Sequence, residues 1–571
     1  MFFRNLFCCP VFEVVFLFSI YLIKYIRFSY FIRCAIFLQE RFYDKIFIYG
    51  KSIRVFCLSS TGKRKSFGLT AILLVAQAKY RQQQYKSTSK IQANGYKFTR
   101  LLPPPKGSGF PPMTNERILI MNKSKKSVDM LHGPLALKII LFALPIALSS
   151  MLQQLFNAAD TSVVGHFADA NALAAVGTNG EIVALLVTLS TGLAIGANVL
   201  IAQCIGEKNT SIISDVLHTA IMFAAIIGIF AAILGQFIAM PVLTAIKTPQ
   251  TVLMPAVTYL RIYFIGYPFL MLYNFGSAIL RARGDSTRPF IALTISGVIN
   301  VLLNLLFVVV CKLDVAGVSI ATDISTGISA AMVLYWLAKD TSEFHFSFAK
   351  LCIHKKHLIQ ILIIGVPSAI QGAVFCFANI FVQASVNSFG AIATAGSTIS
   401  MNFEYFGYYM TTAFGQAATT FASQNFAASL KKRCHKIFWL SLLFSVIFSA
   451  LITVPLTVFR VPASGLFTTD NAVIKAAAFR IIIILTLQPI CCFYEIPAGF
   501  LRGCGHSTLP AILTVIGTCI VRIVWIFTVF RHYHTLRSLF IVFPISWIIT
   551  ILLVLTGFYF CLLHPAKSAT A

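Results

Sequence analysis

The stretch ILRARGDSTRP at positions 279–289 returns as FLRGCGHSTLP at positions 500–510. Arg281, Gly284, Ser286, Thr287 and Pro289 recur as Arg502, Gly505, Ser507, Thr508 and Pro510. Chance likeness between apolar segments explains shared leucines and isoleucines, but not a shared polar loop. Other landmarks repeat at nearly the same spacing. AlaLeuPro at 143–145 matches GlyValPro at 365–367, Asn157 falls on Asn379, Phe167 on Phe389, and Gln203 in IAQCIG on Gln424 in ASQNFA. The chain is therefore built from two similar halves. Within the repeated loop, Gly284 and Gly505 are expected to end a helix in a left-handed cap. Asp285 or Ser286 is expected to cap the next helix, where Pro289 sits early enough to be tolerated. The motif reads as architecture rather than as a substrate site.

The material around the repeat is membrane-like. Of 571 residues 58% are hydrophobic and only 11% are charged, with a mean hydropathy of +0.82. A soluble domain carries about 25% charged residues, so too little polar surface is present to face water. The net charge of +28 does not point to nucleic acid, because it is not a patch on a soluble domain. It lies in the first 132 residues, with 22 Lys and Arg against 5 Asp and Glu, and in short loops between apolar runs. The fourteen Cys have no zinc-ligand spacing and read as small apolar filler.

From Leu137 onward apolar runs alternate with brief polar loops. A membrane span needs about 20 apolar residues. Twelve are predicted, over 137–166, 172–204, 213–240, 251–281, 286–311, 315–338, 358–389, 393–425, 434–458, 471–501, 507–530 and 536–562. The fold class is an all-α membrane protein with twelve transmembrane helices in two six-helix lobes. Six is even, so both halves enter the membrane the same way, as a parallel repeat. The N-lobe covers 133–345, with spans 1–6, and the C-lobe 346–571, with spans 7–12. Loops after even-numbered spans hold thirteen Lys and Arg, among them Lys350, Lys355, Lys431 and Arg433, against six in the others. The positive-inside rule then puts both termini in the cytoplasm of a multi-pass protein in a plasma membrane, of the bacterial inner-membrane type.

Residues 1–132 read differently. Val11–Ile26 is apolar but interrupted by Glu13 and Lys24, with no small-residue cleavage site, which argues against a signal peptide. Residues 77–112 are polar, basic and proline-rich, and are expected to be disordered. Met113, Met121 and Met130 precede the clean pattern. The segment 1–132 is expected to be a poorly structured extension, or an artefact of where the chain is taken to start, with the functional protein beginning near one of those methionines.

Ionisable groups inside a span are costly, which makes each one a functional candidate. Asp160 in LFNAADTSVVGHF stands three residues after Asn157 and seven after Gln153, with Lys138, the one basic residue of its span, about six turns away. Burial disfavours a bare carboxylate, so a proton or a sodium ion is its expected partner. Asn300 and Asn304 share a helix face and offer oxygens that suit a hard cation, or alternatively pack helices together. Thr322 in the next span adds a hydroxyl. Glu404 and Tyr405 lie in the aromatic run MNFEYFGYYM. That run could take a flat cation by charge and cation–π contact, or form an interfacial belt with Glu404 near water. Arg261 and Arg480 read as interfacial anchors, while Arg522 is deeper and could pair with Glu495 or Glu404.

Soluble-enzyme signals are missing: no Walker A loop, no HExxH and no GxSxG. Transport without a nucleotide site would be driven by an ion gradient.

Taken together, FNAADTSVVGHF, IAQCIG, ASQNFA, LRARGDSTRP with LRGCGHSTLP, GVINVLLN and GVSIATD resemble the multidrug and toxic compound extrusion (MATE) transporters, over about 133–563. The resemblance implies two lobes around a V-shaped cavity, and export of amphiphilic, often cationic compounds against sodium or proton entry. It implies that Asp160 is the coupling acid, with Asn300, Asn304 and Thr322 completing an N-lobe ion site in which Asp160 and Asn300 would ligate sodium. Several members carry a second Asp where this chain has Asn304, which leaves proton coupling open. Gln153, Asn157, Asn379, Glu404 and Tyr405 are candidates for the substrate cavity. Small organic substrates and the bilayer are the expected partners, nucleic acid is not, the protein is expected to be a monomer, and no cofactor is expected beyond the coupling ion. The rival readings are a lipid-linked oligosaccharide flippase of the same superfamily, which would want more cavity cations to hold a pyrophosphate, and a non-transporting receptor or scaffold.

Overall fold

A computed structural model of the chain describes residues 55–58, 64–67, 127–167, 170–246 and 248–563. The chain divides into two compact units, Met1–Lys123 and Ser124–Ala571. In the first, strands Val55–Leu58 and Arg64–Phe67 pair antiparallel, with Val55 opposite Phe67. The apolar run at 11–26, the polar stretch 77–112, and Met113 and Met121 lie outside the described residues.

The second unit is a bundle of twelve long helical segments, counted among the described residues. Spans 1–6 are Leu135–Phe167, Ala172–Gly206, Thr210–Ala245, Gln250–Ala282, Thr287–Val310 and Asp314–Ala338. Span 7 is Lys355–Asn387, span 8 is Ala391–Ala427 and span 9 is Lys431–Val458. Spans 10–12 are Asn471–Gly503, Thr508–Phe530 and Leu536–Cys561. Each coincides with a predicted span to within a few residues. Eleven are long and apolar enough to cross a membrane by composition alone. Span 8 is not among those eleven, since it carries Asn402, Glu404, Gln416, Gln424 and Asn425. A helix that polar cannot face lipid along its whole length, and most of its second half is buried.

The repeated loops fold as expected. Gly284 and Gly505 have φ of +100° and +91°. The same two backbone bonds close each cap: Gly284 N–H to Arg281 O and Asp285 N–H to Leu280 O, then Gly505 N–H to Arg502 O and His506 N–H to Leu501 O. Asp285, not Ser286, caps span 5, accepting from the N–H groups of Thr287 and Arg288. In the second half Ser507 instead donates to the Ile364 carbonyl of span 7 at 2.6 Å.

The lobes meet along one half of the bundle, the half bearing the loops after even-numbered spans. Small residues permit the approach. A Cβ on Gly192 would fall 2.4 Å from Ala369 Cα, one on Gly196 would fall 2.1 Å from Ile361 O, and one on Gly206 would fall 2.2 Å from Gln424 O. Spans 1 and 7 each cross to the opposite lobe. Ile139, Phe142, Ala143 and Ala147 of span 1 share a core with Phe414, Ala418, Ile437 and Cys492 of the C-lobe. Ile361 of span 7 packs into the N-lobe core with Leu217 and Phe275. The far end of span 1 returns to its own lobe, where Val163 and Val164 join Val252 and Leu260.

Residues 127–132, placed with the extension on sequence, belong to this unit. Val128 N–H bonds Gly284 O at 3.0 Å. Met130 is buried, and its carbonyl accepts from Asn425 Nδ2 and Arg433 Nη2. All cysteines of the described unit are free thiols, including the buried neighbours Cys491 and Cys492.

Candidate functional site

In the N-lobe four sequence-predicted residues come together. Asn304 Nδ2 donates to Asp160 Oδ1 at 2.5 Å and to Asn300 Oδ1 at 3.3 Å. Asn300 Nδ2 points to Thr322 Oγ1 at 3.4 Å, and Thr322 Oγ1 donates to Val318 O. The chain Asp160–Asn304–Asn300–Thr322 thus joins spans 1, 5 and 6. Span 5 turns into a π-helix at Leu305–Val310, directly after Asn304. Asn300 and Asn304 are i and i+4 on one face, which lets one amide bond the other while reaching Asp160. Phe156 packs onto Gly297, where a Cβ would meet its ring at 1.8 Å, and this draws span 1 against span 5. Among the described residues Asp160 makes no ion pair. The Oδ1 of Asn304 is buried without a hydrogen-bond partner. The oxygens of Asp160, Asn300, Asn304 and Thr322 are a donor set that fits a proton or a small hard cation.

In the C-lobe the structure corrects three expectations. Glu404 is not a free acid awaiting a cation. Arg480 grips it with two bonds, Nε to Oε1 at 2.7 Å and Nη2 to Oε2 at 2.9 Å, and Ser400 Oγ adds a third at 2.8 Å. Arg480 is therefore no interfacial anchor: it is 3% exposed, and it also bonds Ser397. Arg522 pairs with neither of its proposed acids, because Glu495 is held by Arg502 at 2.8 Å. Arg522 instead donates to Ser546 Oγ at 3.2 Å and to Asn379 Oδ1 at 3.5 Å, between the rings of Phe543 and Phe375.

Two cavities follow from this packing. One, of about 170 Å³, lies between the lobes and is lined by Thr188, Asn198, Arg281, Gln371, Gln416, Glu495 and Arg502. The other, of about 90 Å³, lies within the C-lobe and collects Asn379, Glu404, Tyr405, Arg480, Arg522 and Trp547. Tyr408 lines both. Of the substrate-cavity candidates, Asn379, Glu404 and Tyr405 are brought together, while Gln153 and Asn157 line neither cavity.

The MatE family model matches residues 145–306 and again 367–528, one copy per lobe. The chain belongs to the MatE family. It is a multi-pass membrane transporter, not an enzyme. It is 26% identical over 455 residues to the probable multidrug resistance protein YoeA of Bacillus subtilis, a match covering 78% of this chain and 96% of that one. It is 24% identical to the FAD transporter of Shewanella oneidensis, over 62% of this chain and 79% of that one. Among solved structures it shares its fold with an outward-facing multidrug resistance MATE transporter, with a TM-score of 0.71, 20% identity, and coverage of 77% of this chain and 98% of that one.

In this MatE chain sequence reasoning missed several residues. Asp323, next to Thr322, lies against Gly266 of span 4, where a Cβ would meet its carboxylate at 2.0 Å. Tyr259 of span 4 is within electrostatic reach of both Asp160 and Asp323, and it stacks on Tyr263. The rule that flagged Asp160 would have flagged Asp323, since it too is an acid within a span. Arg281 and Arg502, read as architecture from the repeat, also line the interlobe cavity, and only the packing of spans 4 and 10 shows this.

Proposed function

We propose that this chain is an ion-coupled exporter of small amphiphilic organic compounds, with Asp160 as the coupling group. The observation that carries the reading is the carboxylate of Asp160, inside a span, without an ion-pair partner among the described residues and tied to spans 5 and 6 through Asn304, Asn300 and Thr322. The Asn304 amide offers N–H to one carboxylate oxygen, Oδ1, and a proton would be taken by the other, Oδ2. Sodium would require the amide to turn so that its unpaired Oδ1 joins Asp160 and Asn300. Either ion removes the net negative charge and with it the pull of Asp160 on the Asn304 amide. Span 1 also packs its opposite half into the C-lobe, so a shift at Asp160 is delivered across the lobe interface. Substrate leaves from one side, the lobes rock, and the cavity opens to the other. The loop charges support cytoplasmic termini in a plasma membrane. On that orientation the contact half is cytoplasmic and the structure faces outward. The protein would work as a monomer, one chain supplying both lobes.

Gradient-driven efflux of ethidium, wild type against Asp160→Asn, tests the coupling role with sodium and proton gradients imposed separately. Efflux lost in a variant that still inserts supports it and names the ion; wild-type efflux from the variant refutes it. One observation keeps the flippase reading in view: Arg281 and Arg522 are cavity cations without a carboxylate partner among the described residues. Flipping of a lipid-linked pyrophosphate by reconstituted protein is its test. Relatives named for multidrug resistance and for FAD leave the charge of the cargo to be decided by the cavities themselves.

A further inference from the structure

The two halves place a polar centre at related positions, and the charge is reversed between them. In the N-lobe spans 1 and 5 bring Asp160 to Asn304. Their repeat partners, spans 7 and 11, bring Asn379 to Arg522. At the spacing that puts Asn157 on Asn379, the counterpart of Asp160 is Val382. The C-lobe therefore lacks the acid and holds a base instead. Arg522 is 2% exposed, and a guanidinium stays protonated in a protein. The nearby carboxylates are already committed, Glu404 to Arg480 and Glu495 to Arg502. Among the described residues, two of the five N–H donors of Arg522 have protein acceptors, Ser546 and Asn379. Ring faces of Phe543 and Phe375 soften the burial, but they accept no fork of hydrogen bonds. A buried charge left unmatched is expensive, and the cavity that Arg522 lines therefore carries a net positive charge. Its walls combine that cation with Tyr405, Tyr408, Tyr494 and Trp547.

We propose that the C-lobe cavity is an anion site, in which Arg522, with Asn379 beside it, binds the carboxylate or phosphate of an aromatic amphiphile. A guanidinium presents paired donors that match such a group. The cavity's volume of about 90 Å³ accommodates an acidic head group, and Tyr408 is a wall shared with the interlobe cavity, toward which the rest of a larger molecule would extend. Arg281 in that second cavity extends the positive field. One protomer thus has a cation site in one lobe and an organic-anion site in the other. The proposal rests on the exporter reading only in calling the occupant a substrate.

The test is isothermal titration calorimetry on the full chain in phosphatidylcholine nanodiscs. The probes are 2-naphthoate and 2-naphthylmethylammonium, alike in shape and opposite in charge. Wild type is expected to bind the naphthoate more tightly than the ammonium. Arg522→Gln is expected to weaken naphthoate binding at least about tenfold, the scale of one lost charge-assisted contact. Arg261→Gln, on an exposed arginine, should leave binding unchanged. Should Arg522→Gln not yield monodisperse protein, Arg522→Lys provides the second variant. It keeps the buried charge, loses the paired donors of the guanidinium, and should weaken naphthoate binding. Equal naphthoate affinity in wild type and both variants, or tighter binding of the ammonium, overturns the site. Repeating the titration in phosphatidylglycerol nanodiscs separates the sources of anion: undiminished binding supports a soluble substrate, and loss of binding overturns that in favour of a lipid head group. Calorimetry needs no gradient. Naphthoate binding without gradient-driven flux would remove the exporter reading and leave the site, and flux without naphthoate binding would remove the site alone.

Discussion

A carboxylate within a membrane span needs a counter-charge, a proton or an ion, and Asp160 and Glu404 meet that need differently. Glu404 has a permanent partner in Arg480, with both oxygens engaged. The pair neutralises an arginine that is 3% exposed. Among the described residues Asp160 is held only by an amide, and this is what the proposed exchange of a proton or cation requires. Glu404→Gln should therefore behave as a stability variant. Removing one partner of a buried pair leaves Arg480 uncompensated, a loss of about 3–5 kcal/mol, readable as a lowered thermal midpoint in detergent. The double variant Glu404→Gln with Arg480→Gln should recover much of it. A fully stable single variant would show that the pair is dispensable. The sequence marked both acids by the same rule, an ionisable group in an apolar run. It could not separate them, because Arg480 is 76 residues from Glu404 along the chain and meets it only when spans 8 and 10 pack.

At the scale of the element, the repeated loops are two copies of one cap in different surroundings. Both glycines have positive φ, so Gly505→Ala should cost about 1–2 kcal/mol for the left-handed conformation alone. A Cβ at Gly505 meets only Gln203 Nε2, at 3.6 Å, whereas one at Gly284 would fall 2.3 Å from Val128 O. Gly284→Ala should lose more and release the strand of chain before span 1, seen as faster hydrogen exchange at residues 127–133. Equal losses at the two sites would mean that the docked segment contributes nothing. The loop after span 6 carries a pH response. Burial would raise the Asp340 carboxyl, but the hydroxyl and N–H of Ser342 and the guanidinium of Arg283 outweigh it and hold it below its ordinary 3.8. A depressed carboxylate stabilises above its ordinary value, and that contribution is lost as pH falls through the lower folded value. The exchange protection factors of residues 339–346, corrected for the intrinsic rate, should therefore fall below about pH 4, and Asp340→Asn should remove the change. These caps were legible in the sequence because Gly, Asp and Pro act locally. The docking of residues 127–133 was not, since Met130 is held by Asn425 and Arg433, about 300 residues away along the chain.

For the whole molecule, alternating access requires the lobe contact to open. Gly206 and Ala427 face each other across that contact, with a Cβ on Gly206 2.9 Å from the Cβ of Ala427. Disulfides join Cβ atoms about 3.5–4.5 Å apart, so a small adjustment allows Gly206→Cys with Ala427→Cys to crosslink on oxidation. The crosslinked protein should lose gradient-driven flux, and reduction should restore it. Full flux with the crosslink complete would rule out rocking of the lobes about this contact.

Composition, span spacing and the repeated loop determined the class, the twelve spans and the two lobes. Those properties follow from chain-local facts: hydrophobic length against bilayer thickness, glycine where φ must be positive, and a polar motif that chance does not duplicate. The members of the N-lobe cluster were legible singly, since Asn300 and Asn304 share a helix face and an acid in a span is conspicuous, while their meeting in one site was expected only from the resemblance to MATE transporters. What only the tertiary structure decided was which charges cancel. Arg480 neutralises Glu404, Arg502 neutralises Glu495, and Arg522 is left over. Coulomb energy and desolvation depend on distance in space and on the medium between groups. In a helical bundle the ionic partners lie on different spans, at distances along the chain that carry no record of which spans will meet.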